Sequence, residues 1–234
     1  MLKKTLVIPA VLSLFVLQGT SALAGPFETY VGFTAKSDTG VVAAIDQFFT
    51  TDDSKGYDVF LVEAVMSGDN PATHFVVARY DDYAAYDDLV NQRPTSLAWQ
   101  NLVQRYLASA TPLANGMGIV VAEHGEGWPE RDEYVTVFNL NVRDAGKYVT
   151  AFNEMLDSDT GKAAPGSTQL MSVRFAGAAP THYVVMSAPS FAALNNYIDT
   201  MFASDDYADF IDEVEDIREV VGTAIYRKVK TWSN

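Results

Sequence analysis

Cysteine is absent from all 234 residues. That excludes disulfides, thiol nucleophiles, thiolate metal sites, iron–sulfur clusters and thiol-attached haem. Histidine is scarce as well, with 3 in the chain, so a multi-histidine metal centre is not expected. Basic residues are in deficit: 16 Lys and Arg stand against 30 Asp and Glu, a formal charge of −14. A field of that sign repels nucleic acid and anionic lipid surfaces, so neither is an expected partner. Solubility is the plainest use of such a charge. Beyond the N-terminus no apolar run reaches the roughly 20 residues that a membrane span requires. HExxH, GxSxG and phosphate-loop patterns are missing.

The first residues read as a secretory signal. Lys3 and Lys4 form a positive start, Thr5 to Leu17 is apolar, and Ala22-Leu23-Ala24 supplies small residues at a cleavage site. Cleavage after Ala24 is expected, with export to a bacterial periplasm or the medium. Losing Lys3 and Lys4 takes the 16 basic residues to 14 against 30 acidic ones, a net charge of −16. The remaining chain is long enough to bury a core without disulfides.

The chain contains one stretch twice. Thr73-His74-Phe75-Val76-Val77 returns as Thr181-His182-Tyr183-Val184-Val185, an offset of 108. At the same offset Tyr83 to Val90 falls on Phe191 to Ile198 without a gap. A repeat of this length means two copies of one supersecondary unit. Residues 25–126 and 127–234 are read as the two repeats, with 1–24 as the signal.

Each copy follows the same order. A first strand is expected over Glu28 to Thr34 and over Glu133 to Leu140, with Tyr30 matched to Tyr134. A helix follows, with Asp38 and Asp144 as matching caps. Second strands run over Asp58 to Met66 and Thr168 to Phe175. Third strands run over His74 to Tyr80 and His182 to Ser187, each after a Gly- and Pro-bearing turn. Asp82 and Ser190 cap a further helix, which Pro94 breaks in copy one and Ser204-Asp205 in copy two. Short last strands are expected over Gly118 to Ala122 and Thr223 to Val229.

This order, β-α-β-β-α-β, is the ferredoxin-like split unit. One such unit has helices on a single sheet face and leaves the other face to be covered. The chain resembles the dimeric α/β-barrel superfamily with both halves fused, over about 28–124 and 133–231. The resemblance implies an α+β fold: tandem ferredoxin-like repeats forming a pseudo-dimeric eight-stranded α/β barrel, sufficient as a monomer with internal pseudo-two-fold symmetry. That superfamily includes cofactor-independent monooxygenases, isomerases and haem enzymes, so the fold does not choose a function.

Candidate site residues come from the repeat and from its differences. His74 and His182 occupy equivalent strand starts, where an imidazole could act as a general base or could simply be a half-buried, hydrogen-bonded strand-end residue. Copy one carries Arg79, Tyr80, Tyr83 and Tyr86 near the junction of third strand and second helix. Copy two has Ser187, Ala188, Phe191 and Leu194 there. Arg can clamp a carboxylate and Tyr can donate to an oxyanion, which makes copy one the expected ligand-binding half; rim decoration is the bland alternative. The leading reading is an exported small-molecule-binding protein whose partly apolar ligand lies between sheet and helices. Two alternatives are kept. One is a cofactor-independent monooxygenase or isomerase with His74 or His182 as base; the other is a structural or protein-interaction module. No cofactor and no metal are expected, with haem as the alternative.

Overall fold

The computed structural model describes residues 26–126, 128–176 and 180–234. The expected signal, 1–24, lies outside the described residues, as do Gly127 and the turn residues 177–179. In chain order the elements are β1 (Phe27–Ala35), α1 (Asp38–Phe49), β2 (Asp58–Met66), β3 (His74–Tyr80), α2 (Tyr83–Gln92), α3 (Leu97–Ser109) and β4 (Ala110–His124). The second half repeats them as β5 (Tyr134–Val142), α4 (Ala145–Asp157), α5 (Asp159–Lys162), β6 (Thr168–Phe175), β7 (His182–Ala188), α6 (Phe191–Phe202), α7 (Asp205–Val214) and β8 (Arg218–Ser233).

The eight strands close into one antiparallel barrel in the order β1-β3-β2-β8-β5-β7-β6-β4. The two seams between halves are β2 with β8 and β4 with β6. Joining edge to edge leaves neither half with an unpaired strand, and it turns the uncovered sheet faces into a shared lumen. The last strand of each half does double work, pairing with its own first strand and with the partner half. That is why β4 and β8 run 15 and 16 residues, well beyond the expected short segments. Pro112, Asn115 and Gly116 disguise the start of β4 as a turn. Pro112 is accommodated where the β1–β4 register shifts between Gly32 and Phe33.

Strand register corrects the match between copies. Phe27 pairs with Tyr80 as Tyr134 pairs with Ala188, whereas Tyr30 and Val137 pair with Val77 and Val185. Tyr134 therefore answers Phe27, and Tyr30 answers Val137. The helix caps shift in the same way. Ser37 caps α1 by accepting from Gly40 N at 3.1 Å, and its counterpart is Asp144, which accepts from Lys147 N at 3.0 Å. Asp38 is instead the first helical residue. Asp82 and Ser190 cap α2 and α6 as expected, and Ser96 and Ser204 cap α3 and α7.

Alternation along the strands sorts side chains into three layers. Phe33, Val41, Phe48, Leu61 and Tyr80 pack between barrel and helices in the first half. Leu140, Tyr148, Phe152, Leu170 and Met186 do so in the second. Phe60, Val62, Val77, Trp128, Val135, Ala224 and Tyr226 form a third cluster inside the barrel.

Candidate functional site

A cavity of ≈ 520 Å³ occupies the lumen. Its wall is mostly apolar or aromatic, with Phe60, Val62, Phe75, Val77, Val135, Val137, Met171 and Val185 contributed by five strands. One end is rimmed by Asn70, Pro71, Ala72, Leu113 and Val221, of which Leu113 and Val221 are exposed. The other end is covered by the connection between halves, whose Trp128 is buried edge-on against Phe60 at 5.2 Å.

Its polar groups are Glu28, Asn70, Asn115, Asn139 and three tyrosines. The hydroxyls of Tyr30 and Tyr183 meet at 2.6 Å across the lumen. Burial raises the pKa of both phenols and of Tyr226, so all three are protonated at neutral pH. The Tyr30–Tyr183 bond uses one of the pair's two protons. The other has no protein acceptor among the described residues and is available to a ligand oxygen. Close packing sets this geometry. A Cβ at position 116 would overlap the Tyr30 hydroxyl, and one at position 32 would press on the Phe75 ring, so glycine at both places is what lets these rings lie where they do.

At the covered end Arg79 Nε donates to Glu28 Oε1 at 2.8 Å, and Nη1 donates to the Trp128 carbonyl at 3.3 Å. The guanidinium also stands 5.6 Å from the centre of the Phe60 ring. Burial raises the Glu28 pKa against the pull of Arg79, and burial likewise raises that of Asp58. For Arg79 burial works against the charge, but Glu28, Glu130 and Asp58 together hold its pKa above the ordinary value. Lys228 Nζ donates to the carbonyls of Pro129 and Glu130, which ties the connection to the barrel floor. The second half differs. Where Glu28 pairs with Arg79, Val135 pairs with Ser187, and Ser187 Oγ donates to the fully buried Asp132 at 2.7 Å.

The barrel wall divides the candidate residues. Arg79 faces inward to Glu28, while its neighbour Tyr80 faces the helices. There Phe27 stacks on Tyr80 at 5.1 Å, meets the tilted ring of Tyr83 at 5.1 Å and lies 5.9 Å from Tyr86. Tyr80, Tyr83 and Tyr86 thus belong to the helical layer and do not join Arg79. His74 and His182 also face the helical side. Each Nδ1 lies 2.9 Å from the hydroxyl of the preceding threonine, Thr73 or Thr181. Those hydroxyls accept from Ala35 N and Val142 N, so each Thr-His pair secures the far end of a first strand. Burial lowers both histidine pKa values; for His74, Asp38 at 3.8 Å opposes the shift. Neither imidazole lines the lumen.

The space expected between sheet and helices of copy one is filled by side chains. Copy two has a cavity there, but of only ≈ 50 Å³. Glu28, Tyr30, Tyr183 and Tyr226 are lumen residues that reading the sequence missed. The signal was present: Tyr183 follows His182, and adjacent strand residues point to opposite faces.

No family model matches the chain, and no curated protein matches it in sequence. Solved structures do match. A candidate monooxygenase from Fusobacterium nucleatum subsp. nucleatum aligns with a TM-score of 0.60 at 13% identity, over 90% of this chain and 95% of that one. A candidate monooxygenase from Lactobacillus acidophilus aligns at 0.61 with 10% identity, over 89% and 96%. An anthrone oxidase-like protein aligns at 0.53 with 14% identity, over 89% and 93%. The chain has the fold of the dimeric α/β-barrel superfamily. Likeness at such identities establishes the fold and leaves the chemistry to the site.

No imidazole among the described residues is placed to hold a haem iron in either cavity. The two buried imidazoles reach neither the lumen nor the small cavity of the second half, and ≈ 50 Å³ is far too little for a porphyrin. Among the described residues no group of three or more His, Asp or Glu side chains is placed to hold a metal ion.

Proposed function

We propose that the chain is an exported small-molecule-binding protein. Its ligand is a mostly apolar, aromatic molecule held in the barrel lumen with an oxygen acceptor at the Tyr30–Tyr183 pair. The observation that carries this is the unspent phenol proton inside an apolar cavity of ≈ 520 Å³, a size suited to small ligands. The internal seams let one chain serve as a monomer.

A second reading has one observation in its favour. Two neutral phenols joined by a hydrogen bond in a mostly apolar lumen are suited to stabilising an enolate or phenolate oxyanion, as oxidation of an aromatic substrate by dioxygen without a cofactor would require. The candidate monooxygenases and the anthrone oxidase-like protein share this fold. Under that reading the same tyrosines act, and the ligand is turned over.

The test is fluorescence titration with 2-acetonaphthone and with 2-ethylnaphthalene, which lacks the carbonyl. The Tyr30→Phe/Tyr183→Phe variant should weaken the ketone about tenfold and leave the hydrocarbon unchanged, as loss of one buried hydrogen bond of about 1–1.5 kcal/mol predicts. Val137→Trp, which sets an indole into the lumen, should weaken binding of both. Binding of both probes that Val137→Trp leaves unchanged would place the ligand elsewhere. Oxygen consumption with the bound ketone would favour the enzyme.

A further inference from the structure

Glu28 is a lumen group that ligand binding at the tyrosines does not use. It lines the covered end of the cavity and is 9% exposed. Arg79 occupies Oε1, and Oε2 has no hydrogen-bond partner among the described residues. A carboxylate oxygen that is accessible and without a protein donor accepts strongly from any donor that reaches it. Arg79 commits Nε to Glu28 and one Nη1 proton to the Trp128 carbonyl. The floor therefore offers a proton donor an open acceptor at Glu28 Oε2.

Glu28 and Tyr30 sit on the same face of β1, two residues apart, a rise of roughly 6.6–6.8 Å. The lumen thus presents an acceptor at its floor and a donor above it. The matching half is absent from the other copy, where Val135 stands in the place of Glu28, so the site is directional despite the two-fold fold. Resting on the lumen reading above, we infer that Glu28 selects ligands with a neutral hydroxyl at the buried end. The class is hydroxyaryl carbonyl compounds, with the hydroxyl donating to Glu28 Oε2 and the carbonyl accepting from the Tyr30–Tyr183 pair.

The probes are 6-hydroxy-2-acetonaphthone, its methyl ether and 6-hydroxy-2-naphthoate, titrated against the full chain. The hydroxy ketone should bind at least tenfold more tightly than the ether, and the naphthoate more weakly than the hydroxy ketone. In Glu28→Leu/Arg79→Met, which replaces the buried pair by apolar side chains and so avoids a stranded charge, the preference should fall to within twofold while the ether's affinity holds. Glu28→Gln keeps the shape and an acceptor for Arg79, and should lose most of the preference. A hydroxy-to-ether ratio within twofold in the unaltered protein would overturn the inference. So would a ratio that survives both variants, or a naphthoate that binds best; in each case the lumen reading would stand, because the ether still binds. Failure of all three probes to bind would bring down the lumen reading and this inference with it.

Discussion

Removing Arg79 alone should be among the most damaging single changes to the barrel floor. The Arg79 and Glu28 side chains are 22% and 11% exposed, so their ion pair is largely out of water. Arg79→Met leaves the Glu28 charge uncompensated in an apolar lumen, which costs about 3–5 kcal/mol. For a chain of this length that lowers the melting temperature by roughly 6–20 °C. Adding Glu28→Leu should restore most of the loss, to within about 1–2 kcal/mol of the unaltered protein. The pH dependence carries a definite sign. Burial raises the Glu28 pKa above its ordinary 4.5, and Arg79 supplies the two influences that pull it down. Stability associated with the protonated carboxyl is fully present below 4.5 and is lost as pH rises through the folded pKa. Taking Arg79 away moves the folded pKa further up. The penalty of Arg79→Met must therefore shrink between pH 7 and pH 4. Urea unfolding of the two variants at both pH values is the assay. A penalty below about 1 kcal/mol at pH 7, or a double variant less stable than the single, would show that Glu28 is not a desolvated charge held by Arg79.

Other consequences are as direct. Gly116→Ala sets a Cβ against the Tyr30 hydroxyl and the Phe175 carbonyl; a loss of about 1–3 kcal/mol is expected, with the Tyr30–Tyr183 bond broken, as tyrosine ultraviolet absorption would report. Trp128→Ala removes a buried ring from the covered end and should cost about 3–5 kcal/mol in urea unfolding while admitting longer probes to the lumen. Both histidines have lowered pKa values, so their contribution is present above 6.5 and is lost as pH falls through the folded pKa. His74→Gln/His182→Gln should therefore flatten the fall in stability below pH 6.5, measured as the difference from the unaltered protein. Intact-mass measurement after expression in a Gram-negative host should give a chain starting at Gly25, and a cytoplasmic uncleaved product would count against export.

The architecture was legible because a repeat doubles every signal. Strand bounds for β2, β3 and β6 follow directly from apolar runs between turn residues. The caps at Asp82 and Ser190 follow from polar side chains just ahead of helical periodicity. What misled was local chemistry overridden by long-range pairing. Pro112, Asn115 and Gly116 read as a loop, yet they lie in β4 because β1 pairs with them and the register shift absorbs the proline. Tyr30 matched to Tyr134 by residue type alone, and only the ladder to β3 and β7 shows the three-residue error. The candidate site was read as one sequence neighbourhood, from Arg79 to Tyr86. A strand reverses its face at every residue, so Arg79 and Tyr80 belong to different compartments from the outset. The Tyr30–Tyr183 contact spans 153 residues and the two halves, and no local pattern announces a bond of that kind.

What repeats and what diverges follow from where each residue points. Thr73-His74 and Thr181-His182 meet the same demand in each half: a threonine hydroxyl that closes the end of a first strand, and an imidazole that fills the space beneath the helices. Each half has its own helical layer, so each needs its own copy of that device. The lumen is different, because the barrel has only one and both halves face it. A residue such as Arg79 or Glu28 need be supplied once, and a second copy across the two-fold axis would place two ion pairs and twice the desolvated charge in one small space. Val135 and Ser187 avoid that, with Ser187 turned to Asp132 instead. The Thr-His device on the helical side is kept in both halves, while the lumen floor differs between them. Under the proposed lumen reading, the differing floor gives a ligand without two-fold symmetry unlike groups at its two ends.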